Sequence, residues 1–353
     1  MDITKTKAVL LKKILEEKFL SVIFAGFVIT TVYRHSLPHY SWDDFKVIYS
    51  LGVFLVIVKG LEQNNFFLFL AGWFEKGKLL GLKLIIFSAF LSMFVTNDVA
   101  LLFIVPFTLT LSIPHKKYVV ILEAIVANIS SSLFPFGNPQ NMFIYYHYHL
   151  HFLEFVKTIW PFVFFMLLPA FLLSFFLAQR SKKLSSSTLL VVKPLALVYL
   201  TFFIIFILAL LRMLPLSIGW IILIGMFILD RRSFRIDYIL LLTFIVFFGF
   251  TDNLAHILNF SFHNPRHVFL TAVLSSQIIS NVPSALLLAD FTSNWQSLLW
   301  GVSIGGLGMV NGSIASLIAF RIYKEKMKSN IFWHFSLGGF LFLLGGILIF
   351  WLH

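Results

Sequence analysis

The sequence predicts an all-α polytopic membrane protein, an inverted-repeat bundle with two re-entrant hairpins and two interrupted helices. Three observations carry that prediction. Hydrophobic residues make up 59% of the 353 and charged residues 12%, with mean hydropathy +0.93. Apolar stretches follow one another nearly end to end, as in helical membrane proteins; a β-barrel would show short alternating segments. The same unusual break also occurs twice inside apolar stretches, at Thr96-Asn97-Asp98 and at Ser280-Asn281-Val282-Pro283. Finally, with the N-terminus inside, the outer side receives only Arg34, Lys46, Lys157, Arg212 and Arg266 of the 27 lysines and arginines, while Lys59 lies within a span. So strong a positive-inside bias sets the orientation.

The elements follow in order. The basic stretch KTKAVLLKKILEEKF suits an amphipathic helix on the membrane surface. It leads into a span without a cleavage site for a signal peptide. Crossings are expected at about 19–33, 47–74, 118–146 and 159–178. Segment 79–111 is too short for two full crossings of ~20 residues each, so it reads as a re-entrant hairpin tipped by Thr96-Asn97-Asp98. These elements form the first repeat, 1–178. The polar run RSKKLSSST and a crossing at 194–211 make a linker, 179–214. Four crossings return a repeat to the side where it began, so an inverted second copy needs this extra crossing. The second repeat, 215–353, has crossings at 215–229, 238–256, 296–320 and 331–352, with a hairpin at 266–292. The N-terminus is then cytoplasmic and the C-terminus outside, in a multi-pass protein of the cell membrane.

The two tips are the leading candidate site. Polar residues that break a helix inside a membrane are costly, and they persist where they line a cavity or bind something. Two breaks in corresponding halves point to the site of a secondary transporter. A broken helix exposes N–H groups that attract anions and C=O groups that hold cations. Asn97 and Asn281 can each donate and accept, and Thr96 and Ser280 are cation ligands or helix caps. Capping of a kinked helix is the simpler alternative.

A second constellation follows each hairpin. Asn128 and Ser130-Ser131-Ser132 lead to Gly137-Asn138-Pro139-Gln140-Asn141. Gly-Asn-Pro cannot continue a helix. The matching region runs through Gly305, Gly306 and Gly308 to Asn311-Gly312-Ser313 and Ser316. Close helix packing through small residues would explain the glycines, but not the amides. Intramembrane charges form a third set. Asp98 at the first tip is a candidate carrier of H⁺ or Na⁺, or a cap for a helix beginning at Val99. Lys59 and Glu62, three apart, can neutralise one another. Asp252 beside Asn253 suits an interfacial cap.

The segments TNDVALLFIVPF, FGNPQNMFIYY, SNVPSALLL and NGSIASLI resemble the ion transporter superfamily, over roughly 50–350. That group includes divalent anion:sodium symporters, citrate permeases, arsenite permeases and a class of sodium–proton antiporters. The resemblance implies a mobile transport domain of hairpins and unwound spans, a homodimeric scaffold and elevator-like alternating access. Symporters of dicarboxylates carry Ser-Asn-Thr at each tip; here the asparagines match and both threonines are missing. The Asn97-Asp98 tip and the Gly137-Asn138-Pro139-Gln140-Asn141 segment look closer to the arsenite-permease-like and general anion-permease branch.

The expected function is therefore an ion-coupled secondary transporter of a small anion or oxyanion, using H⁺ or Na⁺. The alternatives are a sodium–proton antiporter and an arsenite-type efflux permease. No Walker loop or HExxH motif is present and no hydrolytic constellation supports a membrane enzyme, so ATP-driven pumping and an enzymatic role have no support. Cysteine is absent, which excludes thiolate metal sites and cysteine nucleophiles. No cofactor is expected and no metal beyond Na⁺; His147, His149 and His151 suit the outer interface better than a metal site. The net charge of +12 is explained by topology, not by nucleic acid.

Overall fold

A computed structural model describes residues 20–74, 79–111, 113–177, 193–258 and 261–352. The expected N-terminal surface helix and most of the polar loop before the linker crossing lie outside them. All regular secondary structure among the described residues is helical. The first half contains α1 (Leu20–Arg34), α2 (Trp42–Gln63), α3 (Phe66–Phe74), α4 (Leu80–Phe94), α5 (Asn97–Thr110), α6 (Lys116–Ser131), α7 (Pro139–His147) and α8 (Phe152–Leu177). After α9 (Leu195–Leu210) come α10 (Ile218–Leu229), α11 (Tyr238–Leu258), α12 (Pro265–Ile279), α13 (Asn281–Ala289), α14 (Trp295–Gly305), α15 (Ile314–Met327) and α16 (Phe332–Leu352).

Local chemistry sets most boundaries. Ser41 and Asp44 form a reciprocal capping box: Asp44 N–H donates to Ser41 Oγ at 3.1 Å and Ser41 N–H to Asp44 Oδ2 at 2.7 Å. That box starts α2 at Trp42, ahead of the crossing expected from 47. The expected single crossing 47–74 is corrected by a break after Gln63. Asn65 takes φ +63° and Asn64 Nδ2 donates to Gly60 O at 2.7 Å. Asparagine tolerates the left-handed region and satisfies a freed carbonyl with its own amide, so the helix stops and restarts as α3.

Among the described residues, three uninterrupted helices are long and apolar enough to cross a membrane: Phe152–Phe176, Tyr238–Leu258 and Phe332–Leu352. Their outer faces are apolar. On α16, Leu337, Leu341, Leu344 and Leu348 are all exposed. Their spacing of three and four makes one stripe along the helix, suited to lipid rather than water. The protein is a multi-pass, all-helical membrane protein.

Packing places the hairpins at the centre. α4 lies against α6 and α5, and α12 against α14 and α13. The halves are cross-joined: α5 packs on α15 and α13 on α7. Thus the second arm of each hairpin meets the later piece of the other half's interrupted helix. α2 flanks this centre with α9, α10 and α11, while α8 packs against both α6 and α16.

Candidate functional site

Both tips have the same local design. α4 ends at Phe94, Val95 and Thr96 are extended, and α5 begins at Asn97. α12 ends at Ile279, Ser280 takes φ +74°, and α13 begins at Asn281. Each asparagine is the first helical residue and folds its Oδ1 back onto the next N–H. Asp98 N–H donates to Asn97 Oδ1, and Val282 N–H to Asn281 Oδ1, both at 3.0 Å. One orphan N–H of each helix start is thereby satisfied. The cap at the first tip is Thr96, without a side-chain bond, and Asp98 lies in the first turn. Asp98 is therefore not the cap of a helix beginning at Val99.

The spans after the hairpins are interrupted as the glycine and proline pattern requires. Between α6 and α7 the chain turns through Ser132 to Asn138. Asn138 caps α7 by accepting from Asn141 N–H at 3.0 Å, with Pro139 at the first helical position. Asn141 Nδ2 donates to the carbonyls of Ser132 at 2.9 Å, Phe134 at 3.1 Å and Ser131 at 3.3 Å. Gly137 must be glycine: a Cβ there would sit 2.1 Å from Ser131 O. In the other half, Gln277 does the work of Asn141. Its Nε2 donates to Gly305 O at 2.6 Å and Leu307 O at 2.9 Å, and its Oε1 accepts from Met309 N–H at 2.8 Å.

A small cavity of about 30 Å³ is lined by Asn97, Asp98, Pro139, Gln140, Leu240, Asn281, Val282, Ser313, Ile314 and Ala315. Eight of these are the first two residues of α5, α7, α13 and α15. Four helix N-termini, two from each half of the chain, therefore open onto one space. Each carries about half a positive charge and unsatisfied N–H groups. Such ends favour anions.

A buried polar chain ties the first tip to both interrupted spans. Asn97 Nδ2 donates to Asn128 Oδ1 at 2.9 Å, and Asn128 Nδ2 donates to Ser316 Oγ at 3.0 Å. At the second tip a Cβ on Gly306 would come within 2.9 Å of Asn281 Nδ2. Ser280 Oγ donates to Asn281 Oδ1 at 3.3 Å.

The structure gathers some of the expected site residues and not others. Asn97, Asp98, Pro139, Gln140, Asn281 and Ser313 line the cavity. Thr96, Gly137, Asn138, Asn141, Ser280, Pro283, Gly312 and Ser316 are buried around it as caps, turns and hydrogen-bond partners. Asn311 is exposed and lies outside the lining. Lys59 Nζ and Glu62 Oε2 pair at 2.8 Å. Asp252 pairs with Arg34 at 3.0 Å and accepts from His39 N–H at 3.0 Å. None of these three charges lines the cavity.

Three residues escaped the site reading. Leu240 closes one wall from α11 and carries no polar signal. Gln277 is a lone amide in an apolar stretch, a signal that was readable. Glu123, also readable as a charge in a predicted span, is fully buried; Thr108 Oγ1 contacts its Oε1, and its Oε2 has no hydrogen-bond partner among the described residues.

Comparison with known proteins agrees with this architecture. The chain is 32% identical over 312 residues to an uncharacterized transporter of Methanocaldococcus jannaschii, covering 85% of this chain and 87% of that one. It is 32% identical over 337 residues to the inner membrane protein YbiR of Escherichia coli, covering 88% of each. The family model described as citrate transporter matches residues 10–305. With that match over most of its length, the chain belongs to the citrate transporter family, a family of membrane transporters rather than enzymes.

Proposed function

We propose that this protein is an ion-coupled secondary transporter of a small anion or oxyanion, and that the cavity between the two hairpin tips is its substrate site. The observation that carries the reading is the meeting of four helix N-termini at that cavity. Their N–H groups and dipoles suit a carboxylate or oxyanion. Asp98 on the same wall supplies the coupling. As a carboxylate it repels an arriving anion, so H⁺ or Na⁺ must neutralise it first. Substrate and cation then bind together, which is the condition for symport.

At about 30 Å³ the cavity holds a water or a small ion. A carboxylic acid needs the tips and interrupted spans to separate, in keeping with alternating access. The wider proposal keeps two inverted repeats, 1–178 and 215–353, joined by the 179–214 linker. It also keeps a cytoplasmic N-terminus, an outer C-terminus, a homodimeric scaffold and an elevator-like movement of hairpins and interrupted spans. Asp98 in the cavity also favours one other reading, a sodium–proton antiporter.

Thermal unfolding of the purified protein separates the two. The panel is citrate, succinate, phosphate, sulfate and arsenite, each with and without Na⁺. Stabilisation by one of these anions supports the transporter of anions. Stabilisation by Na⁺ or pH alone, with no anion effect, sinks it in favour of the antiporter.

A further inference from the structure

We infer that Glu123 is a proton-binding site, and that the closed packing of α5 on α6 requires Glu123 to be protonated. The inference rests on the transporter reading and deepens it, since it makes H⁺ a coupling ion and names a carrier away from the substrate cavity.

The geometry is unusual. Glu123 is in the middle of α6, with no exposed surface. Its Oε1 meets the Thr108 hydroxyl of α5 and its Oε2 has no hydrogen-bond partner among the described residues. Its own backbone carbonyl accepts from Ser88 Oγ of α4 at 3.0 Å. The neighbouring elements bring charged and titratable groups of their own. These are Lys83 on α4, Asp98 on α5, Glu154 and Lys157 on α8, His334 on α16, and Arg321, Tyr323, Lys324, Glu325 and Lys326 on α15, while α14 has none. None of them bonds to Glu123. A bare carboxylate buried in this way costs many kcal/mol, whereas the neutral acid costs far less. Proton binding, COO⁻ + H⁺ → COOH, therefore accompanies closure.

The position suits a route to the inner side. Glu123 lies roughly 7.5 Å along α6 from Asn128, at 1.5 Å per residue, and Asn128 holds the first tip. In the other direction lies the end of α5. There Lys116 Nζ donates to Leu109 O at 3.0 Å and Lys326 Nζ to Pro106 O at 3.5 Å, on either side of Thr108 in sequence. Pro106 lacks an N–H, so this last stretch of α5 is short of one ladder bond and opens more easily. When it parts from α6, water reaches Glu123 and the two ammonium groups stand ready to stabilise the anion.

The test uses full-length protein in proteoliposomes and the anion that wild type moves in the panel above. A gradient of about one pH unit drives about tenfold accumulation at one proton per anion. Glu123→Gln mimics the protonated acid for good. It is expected to retain counterflow exchange, in which no gradient drives net transport, and to lose the proton that Glu123 carries, so that pH-driven accumulation falls about tenfold. Glu123→Asp keeps a titratable group and is expected to restore accumulation. Glu123→Gln accumulating as wild type does would overturn the inference. So would loss of exchange and thermal stability together in both variants, which marks a structural role. Infrared spectroscopy gives a reading free of transport and of the glutamine variant's folding. A protonated-carboxyl C=O band at neutral pH that shifts in Glu123→Asp supports the inference, and an unchanged spectrum overturns it. Should wild type move none of the anions, the transporter reading falls, and the infrared band still decides the state of Glu123.

Discussion

Asn97 and Asn281 spend their side-chain oxygens in the same way, each on the N–H of the next residue. What remains is the amide Nδ2, and at Asn97 it is committed to Asn128. Cavity-lining groups of this kind contribute to binding more than to packing. Asn97→Ala and Asn281→Ala are expected to abolish anion uptake while leaving membrane expression intact. Loss of expression with normal specific activity would show instead that the amides are helix caps. Asp98 allows a finer cut. Asp98→Asn keeps the size and removes the charge. It should still bind and exchange the anion but no longer accumulate it against a pH or Na⁺ gradient. Wild-type accumulation by Asp98→Asn in proteoliposomes would leave Asp98 as a first-turn acid that merely complements the helix dipole.

At the scale of elements, the fold keeps two helices broken in the middle of a membrane, where freed carbonyls find no water. One amide side chain in each half solves the problem. Asn141 serves the turn after α6, and Gln277 serves the turn after α14. A buried carbonyl stripped of its partner costs about 1–3 kcal/mol. Asn141→Leu and Gln277→Leu are each expected to destabilise the protein by at least that much, as a clear drop in Tm in detergent. An unchanged Tm in both would mean that the interrupted turns hold without them. The two amides come from different places, one just past its own turn and one on the preceding hairpin arm.

For the whole molecule, the cross-joined packing of α5 on α15 and α13 on α7 makes the cavity an interface between the two halves. Anything that enters must part these contacts. The absence of cysteine makes that movement directly readable. Ala315→Cys places a lone thiol on the cavity wall, at a residue with 1% exposure. Alkylation by a small maleimide is expected to be slow in the closed form. It should quicken under conditions that promote turnover, and a bound anion should slow it again. Rapid labelling indifferent to anion would show that the wall is open at rest and that no gating movement guards it.

Membrane class, helix-rich fold and the two tips were legible because they are local properties. Hydropathy is summed along the chain, and Gly137-Asn138-Pro139 or Asn97 breaks a helix wherever it stands. The pairing of Lys59 with Glu62 was legible too, since three residues bring them to one face of a helix. The stop at Asn64-Asn65 had a signal in the polar run Glu62-Gln63-Asn64-Asn65, but polar residues alone do not tell a broken helix from a continuous one, and the left-handed backbone at Asn65 decides it. Long-range placement was decided by packing alone. That Ile314 and Ala315 share a cavity with Asn97 and Pro139, and that Asn311 stays outside it, depend on how helices far apart in sequence cross one another. The angle and depth of those crossings come from the shapes of the side chains between them, and no stretch of sequence contains both partners.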